Sequence, residues 1–284
     1  MKKVALSVAA VGVGLLVAGS AGAGIIADYA FNGYLPGDLT GQGGWSGDVS
    51  FDVVETGGAG PAALSYSMVN PYAPGGVSVI DGGSMAVQLT GGNKRIGNTF
   101  TAQTGALYFS GLLRLGVDPG NAIMEFGLFT ATTANPKIRA GVSTVQATDD
   151  FVGFMDAAPE LPVTGSGAIA LNQTYLVVAK TWKDSSANFN GLTVWINPSY
   201  AADGTVNSLA TATFAQDSTM STAGAALLFS NGTQMSTKNA YVDEFKVGTT
   251  WDDVVPAFIP SPEPATLALL GLGGLGMMVR KRRA

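Results

Sequence analysis

The side chains able to do chemistry in this sequence are almost entirely carboxylates and aromatics, because its 284 residues include no cysteine and no histidine. That absence removes thiol nucleophiles, disulfides, thiolate or imidazole zinc sites and any Ser-His-Asp triad. Glycoside hydrolysis passes this filter, since it needs only two carboxylates about 5 to 10 Å apart. Its nearest approximations here are Asp52-Val-Val-Glu55 and Asp243-Glu244. Neighbouring strand residues point to opposite faces of a sheet, so Asp243 and Glu244 cannot jointly flank one bond. No catalytic residue is assigned on this basis, and the chain reads as a non-enzyme.

Two constellations remain as candidates for binding. Strict alternation along 241–247 places Asp243 with Tyr241, Phe245 and Val247, a mostly apolar face on which a carboxylate needs partners. Asp243 is then either a structural carboxylate accepting backbone or Tyr hydroxyl hydrogen bonds, or a calcium ligand, carboxylate and carbonyl oxygens being what calcium prefers. Asp149-Asp150 and Asp252-Asp253 read as solvated turn residues and lack the spacing of an EF-hand loop. Among Trp45, Trp182, Trp195 and Trp251, packing in a core is the commoner fate of the indole, and a platform for sugar rings is the functional one. Trp195 lies on the face opposite Leu192, Val194 and Ile196, which makes it the best placed for exposure and the candidate glycan contact.

The elements that must position these residues are strands. Only 12% of residues are charged, there are 39 glycines, and Val, Thr, Phe, Tyr and Trp recur in short runs separated by turn formers. Such runs fall at 25–31, 49–54, 84–89, 106–115, 122–129, 151–155, 175–183, 192–197, 225–230 and 241–247. Their number predicts an all-β sandwich or jelly roll of ten or more strands, with no long helix between them. Runs 175–183 and 192–197 pair as a hairpin across the polar loop 184–191, and the Gly-rich stretches 57–61 and 74–76 read as exposed loops. There is no internal repeat and no interior domain boundary.

Charge divides the chain differently. Between residues 24 and 260, nine Lys and Arg stand against nineteen Asp and Glu, a net of −10, because the other basic residues lie at the two ends. An acidic surface repels phosphate backbones, so nucleic acid is not an expected partner. At the N-terminus, Lys2 and Lys3 precede an apolar run over 4–18 and the small residues Ala21-Gly22-Ala23. This reads as a secretory signal peptide, cut by signal peptidase after Ala23. At the C-terminus, Pro262-Glu263-Pro264 is followed by an apolar run over 265–279 and then by Arg280, Lys281, Arg282 and Arg283. Fifteen helical residues span roughly 22 Å, and thinning of the bilayer with snorkelling of the basic end would close the gap to a ~30 Å core. The four basic residues stay cytoplasmic, which leaves the prolines and everything before them outside.

These last features resemble the PEP-CTERM domain, also described as an ice-binding-protein C-terminal motif, over residues 261–284; the latter label is no evidence of ice binding here. The resemblance implies that Pro262, Glu263 and Pro264 are read by an exosortase-type membrane protease, that 265–279 is a transmembrane helix, and that Arg280 to Arg283 are retention charges. A second resemblance rests on Tyr175-Leu-Val-Val-Ala-Lys-Thr-Trp182, Leu192-Thr-Val-Trp-Ile-Asn197, Tyr241-Val-Asp-Glu-Phe-Lys-Val-Gly248 and the opening Phe31-Asn-Gly-Tyr34 to Trp45. These stretches are similar to laminin-G-like, concanavalin-like jelly rolls, a fold group that often binds carbohydrate or calcium and includes some glycosidases; fold alone transfers none of those roles.

The expectation is therefore a signal peptide at 1–23, a β-sandwich at 24–256, and a linker with sorting signal at 257–284. The protein would be exported, held for a time in the inner membrane, and delivered to the cell surface or extracellular matrix. There it would play a structural or glycan-binding role, with extracellular polysaccharide as partner. The competing expectation is a glycoside hydrolase or lyase whose carboxylates converge from different strands.

Overall fold

A computed structural model describes residues 24–256 except for 58–61, 72–73, 90–93, 117–122, 131–136, 145–148, 157–158, 202–204 and 232–239. In chain order the first strands are β1 (Ile25–Tyr29), β2 (Gly37–Asp38), β3 (Ser46–Gly47), β4 (Phe51–Glu55), β5 (Ser65–Val69), β6 (Val77–Asp81) and β7 (Met85–Leu89). Then come β8 (Lys94–Gln103), β9 (Leu107–Leu115), β10 (Ile123–Phe129), β11 (Lys137–Ser143), β12 (Phe151–Met155) and β13 (Leu161–Pro162). The remainder are β14 (Thr174–Trp182), β15 (Gly191–Ile196), β16 (Ser199–Tyr200), β17 (Val206–Asn207), β18 (Ala210–Ala215), β19 (Ala223–Asn231) and β20 (Ala240–Gly248). All ten predicted runs contain a strand. Among the described residues no helix is long and apolar enough to cross a membrane. The signal and transmembrane segments, with Ala23, Pro262, Glu263, Pro264 and the basic end, lie outside the described residues.

The strands form an all-β sandwich. One sheet runs β18-β15-β14-β9-β20-β7-β4-β2, with β1 also pairing β20, and the other runs β13-β12-β11-β10-β19-β8-β3. Between them sits the main core, where alternation delivers large apolar side chains from both sheets. Phe126 of the second sheet meets Phe109 edge-on at 6.0 Å and Phe245 at 5.2 Å, both from the first. Trp45 belongs here too, buried against Tyr29 at 4.9 Å. Each such side chain removed from water contributes on the order of 1.5–3 kcal/mol.

The last two strands are central: β19 lies between β10 and β8, and β20 lies between β9 and β7. Neither sheet is complete until the chain is nearly finished, a topology dominated by non-local pairing.

A second apolar layer lies on the outer face of the first sheet. Ala86, Leu112, Leu176, Val178 and Tyr241 point outward there and are covered by Leu64, Ile80, Val254 and Val255. The cover comes from the β5–β6 ribbon, whose Pro74–Gly76 turn replaces a predicted loop, and from the short 3-10 helix Trp251–Asp253. Tyr66 pins the ribbon by donating to the Pro198 carbonyl at 3.0 Å.

Three expectations need correction. The 184–191 loop is not wholly polar in its packing, since Phe189 is fully buried in the core. Several strands were not expected, β8 and β11 among them: Lys94-Arg-Ile-Gly-Asn-Thr-Phe-Thr-Ala-Gln103 is too polar to announce itself. Strict alternation also fails in β20. The register shifts between Asp243 and Lys246, and Glu244 takes a φ of 49°. This bulge inserts one residue and changes the phase. Tyr241 consequently faces the outer layer while Phe245 and Val247 face the main core, so Asp243 does not share a face with them.

Candidate functional site

The hairpin β14–β15 and strand β9 build a groove on the outer face of the first sheet where the ribbon's cover stops. Alternation along β14 sends Lys180 and Trp182 outward, while Val177, Ala179 and the Thr181 hydroxyl, bonded to the Gly191 carbonyl at 2.9 Å, are buried. Thr193 and Trp195 point outward from β15, and Tyr108 from β9. Register aligns them, with Lys180 opposite both Tyr108 and Thr193, and Trp182 opposite Gly191. A Cβ on Gly191 would lie 2.1 Å from Trp182 Cε2, so the indole rests over the glycine and glycine alone leaves room for it.

Trp251, from the 3-10 helix, supplies the opposite wall. Its ring meets Trp195 edge-on, 5.2 Å between centroids, and Tyr108 edge-on at 6.4 Å. Its Nε1–H donates to the Tyr200 hydroxyl at 2.9 Å, which donates in turn to the Pro256 carbonyl at 3.1 Å. Asp253 holds that helix in place by accepting the N–H groups of Thr249 and Thr250 at 2.9 and 2.8 Å. With Val206 from β17 the groove encloses about 280 Å³.

Three of the four tryptophans thus converge with Tyr108 on one half-exposed surface. Flat aromatic faces beside polar groups suit the C–H face of a pyranose ring, whose hydroxyls then reach the rim. Lys180 Nζ stands 5.3 Å from the Tyr108 ring centre and 5.7 Å from that of Trp182. The Thr193 and Thr213 hydroxyls share a 2.8 Å hydrogen bond beside it. Trp195, the residue singled out from the sequence, is in this groove. Trp182 and Trp251 join it; the first could have been read from its place on the same face of the hairpin as Trp195, the second only from the fold.

Asp243 is elsewhere, fully buried behind the bulge. Its Oδ1 accepts the Glu244 N–H at 2.8 Å, and the Phe31 N–H also bonds its carboxylate. Gly82 backs onto it, since a Cβ there would come 2.1 Å from Oδ2. Burial, with the charges of Glu244 and Asp81 adding to it and the two N–H donors opposing it, pushes this carboxyl up to about 8. Its burial and its N–H donors fit the structural reading. Among the described residues no group of three or more Asp, Glu, His or Cys is placed to hold a metal.

The other carboxylates have local duties. Asp149 accepts the N–H groups of Gly165 and Gly167, and Asp150 that of Ile169, so this pair staples a loop instead of lying solvated in a turn. A second cavity, of about 300 Å³, is lined by Asp81, Glu244, Asp252 and Asp253 with Lys246. Asp81 accepts the Gly83 N–H at 2.9 Å, Glu244 pairs with Lys246 at 3.0 Å, and Asp253 caps the 3-10 helix.

Residues 262–283 match the PEP-CTERM protein-sorting motif. The chain carries that sorting signal, which implies export and C-terminal anchoring. No curated protein matches the chain. Among solved structures, peanut lectin with a bound 9mer peptide is 12% identical at a TM-score of 0.37, covering 70% of this chain and 97% of its own. The Trypanosoma cruzi calreticulin globular domain is 11% identical at 0.41, covering 78% and 90%. The carbohydrate-binding module CBM66 from Bacillus subtilis is 12% identical at 0.38, covering 57% and 85%. Likeness at this level carries no ligand or activity across.

Proposed function

We propose that this protein is a non-enzymatic component of the cell envelope or extracellular matrix that binds carbohydrate in the aromatic groove. The observation that supports this reading is the convergence of Trp182, Trp195, Trp251 and Tyr108 on one open face of the sandwich. A sorting signal that implies export and C-terminal anchoring agrees with it. The test is a glycan array probed with the full-length protein, with and without calcium. At least one glycan is expected to bind, equally in both conditions, and Trp195→Ala is expected to weaken it by roughly thirtyfold, the scale of a central Trp contact. Absence of any binding, or binding indifferent to both Trp195→Ala and Trp182→Ala, would sink the proposal.

The competing reading, a glycoside hydrolase or lyase, has the acidic second cavity in its favour. Three of its four carboxylates are already committed to turns, caps or Lys246, which leaves no pair free for acid and base work. Loss of polymer length on prolonged incubation with a bound glycan would reverse this choice.

The sorting signal is taken to be processed by an exosortase-type protease, with signal peptidase acting at Ala23. Nine residue steps separate Pro256 from Ala265, where the apolar run begins, a reach of at most about 32 Å. The sandwich is therefore held close to the membrane while the tail is inserted. Intact-mass measurement of protein recovered from the matrix is expected to show a chain lacking Arg280 to Arg283; the full tail there would refute processing.

A further inference from the structure

We infer that the groove selects sugars bearing a carboxylate, such as the uronic acid units of acidic polysaccharides, and that Lys180 is the residue that reads the acid. This rests on the carbohydrate reading above and adds the ligand class to it.

Among the described residues, Lys180 is the only charged side chain that lines the groove. It lies at the centre, between Tyr108 and Thr193 across the sheet, with Trp182 two residues along its own strand and Trp195 two residues beyond Thr193. In a domain where nine cations face nineteen anions, a lysine in such a place would be expected to carry a carboxylate partner. The ion pairs formed among the described residues are Lys94–Asp48, Arg139–Glu125 and those of Lys246 with Asp28 and Glu244. None includes Lys180, whose ammonium instead stands over two rings.

That arrangement matches an acidic pyranose in two respects. A ring stacked on Trp182 directs its equatorial substituents outward along the groove, and a carboxylate on its rim comes within the sweep of a flexible four-carbon side chain. The ion pair would form beside apolar indoles, where less water competes for the charges than on open surface. The negative field of the whole domain opposes approach of a polyanion, yet beyond about 8 Å it is screened at physiological salt, so the local cation decides.

The experiment compares oligogalacturonates and oligomannuronates with their carboxyl-reduced counterparts, which keep the ring stereochemistry and replace the acid by a hydroxymethyl group. With the full-length protein at low salt, at least one acidic oligomer is expected to bind about tenfold tighter than its reduced form, with the difference shrinking in 0.5 M salt. Lys180→Gln is expected to erase the difference by weakening the acidic oligomer more than the reduced one, and Lys180→Arg to restore it. Trp195→Ala is expected to weaken both. Equal affinity for the two forms, or equal loss of both in Lys180→Gln, overturns the acid selectivity and leaves the carbohydrate groove standing. Failure of every sugar to bind overturns both.

Discussion

Replacing Arg139 by Met is expected to cost about 3–5 kcal/mol of stability, a fall of roughly 10 °C in the thermal midpoint for a domain of this size. Arg139 and Glu125 lie on the outer face of the second sheet, on the adjacent strands β11 and β10. Arg139 Nη1 is 2.6 Å from Glu125 Oε2, and the side chains are 5% and 0% exposed. The guanidinium is held between two rings, 4.1 Å from the centre of Phe154 and 4.2 Å from that of Phe229. Opposite Arg139 in the register stands Gly127, and opposite Glu125 stands Gly141. A Cβ at either would come within 2.1 or 2.2 Å of a backbone oxygen on the neighbouring strand. The pair is thus enclosed by tightly apposed backbone as well as by aromatics.

Removing the guanidinium strands a desolvated carboxylate, and that penalty, more than the worth of the pair itself, sets the size of the effect. Removing both charges, as Glu125→Leu with Arg139→Met, is therefore expected to recover most of the loss. Urea denaturation of the two variants beside the native chain separates these contributions. A single variant that loses less than about 1 kcal/mol would mean that the pair is solvated, contrary to its burial.

Stability is also expected to fall as pH rises from about 4 to about 8, on account of Asp243. Its carboxyl is raised in the folded chain and ordinary in the unfolded one. Between those two values the native state keeps a proton that the unfolded state has released. The contribution is complete below the ordinary carboxylate range, is lost progressively as pH climbs, and is gone above about 8. Its slope approaches about 1.4 kcal/mol per pH unit where the protonation states differ fully. Asp243→Asn keeps an oxygen to accept the Glu244 and Phe31 N–H groups and cannot ionise. It is expected to be more stable than the native chain at pH 9, with the gap narrowing toward pH 4. Parallel stability–pH curves for the two proteins would show that Asp243 titrates normally.

The class of fold was legible in the residues because a half-buried strand writes its period into the sequence. Leu192, Val194 and Ile196 against Thr193 and Trp195 is such a record, and the hairpin partner at 174–182 carries a matching one. Local rules failed where pairing replaced patterning. Strands β8 and β11 are polar or Gly-containing and become strands through their neighbours, β19 and β3 for the first and β10 and β12 for the second. The bulge at Glu244 has no signal of its own, yet it moves Asp243 away from the side chains with which alternation would group it.

The sequence by itself determined the sorting signal and the chemistry that is absent. A sorting motif is read as a linear string, and missing cysteine and histidine stay missing in any fold. Only the tertiary structure decided which aromatics meet. Tyr108 and Lys180 are brought side by side by β9–β14 pairing across the four intervening strands β10 to β13, and Trp251 arrives from the turn after β20. The physical reason is that alternation states which face a side chain takes, whereas register and sheet order, set by the whole core, state what stands beside it.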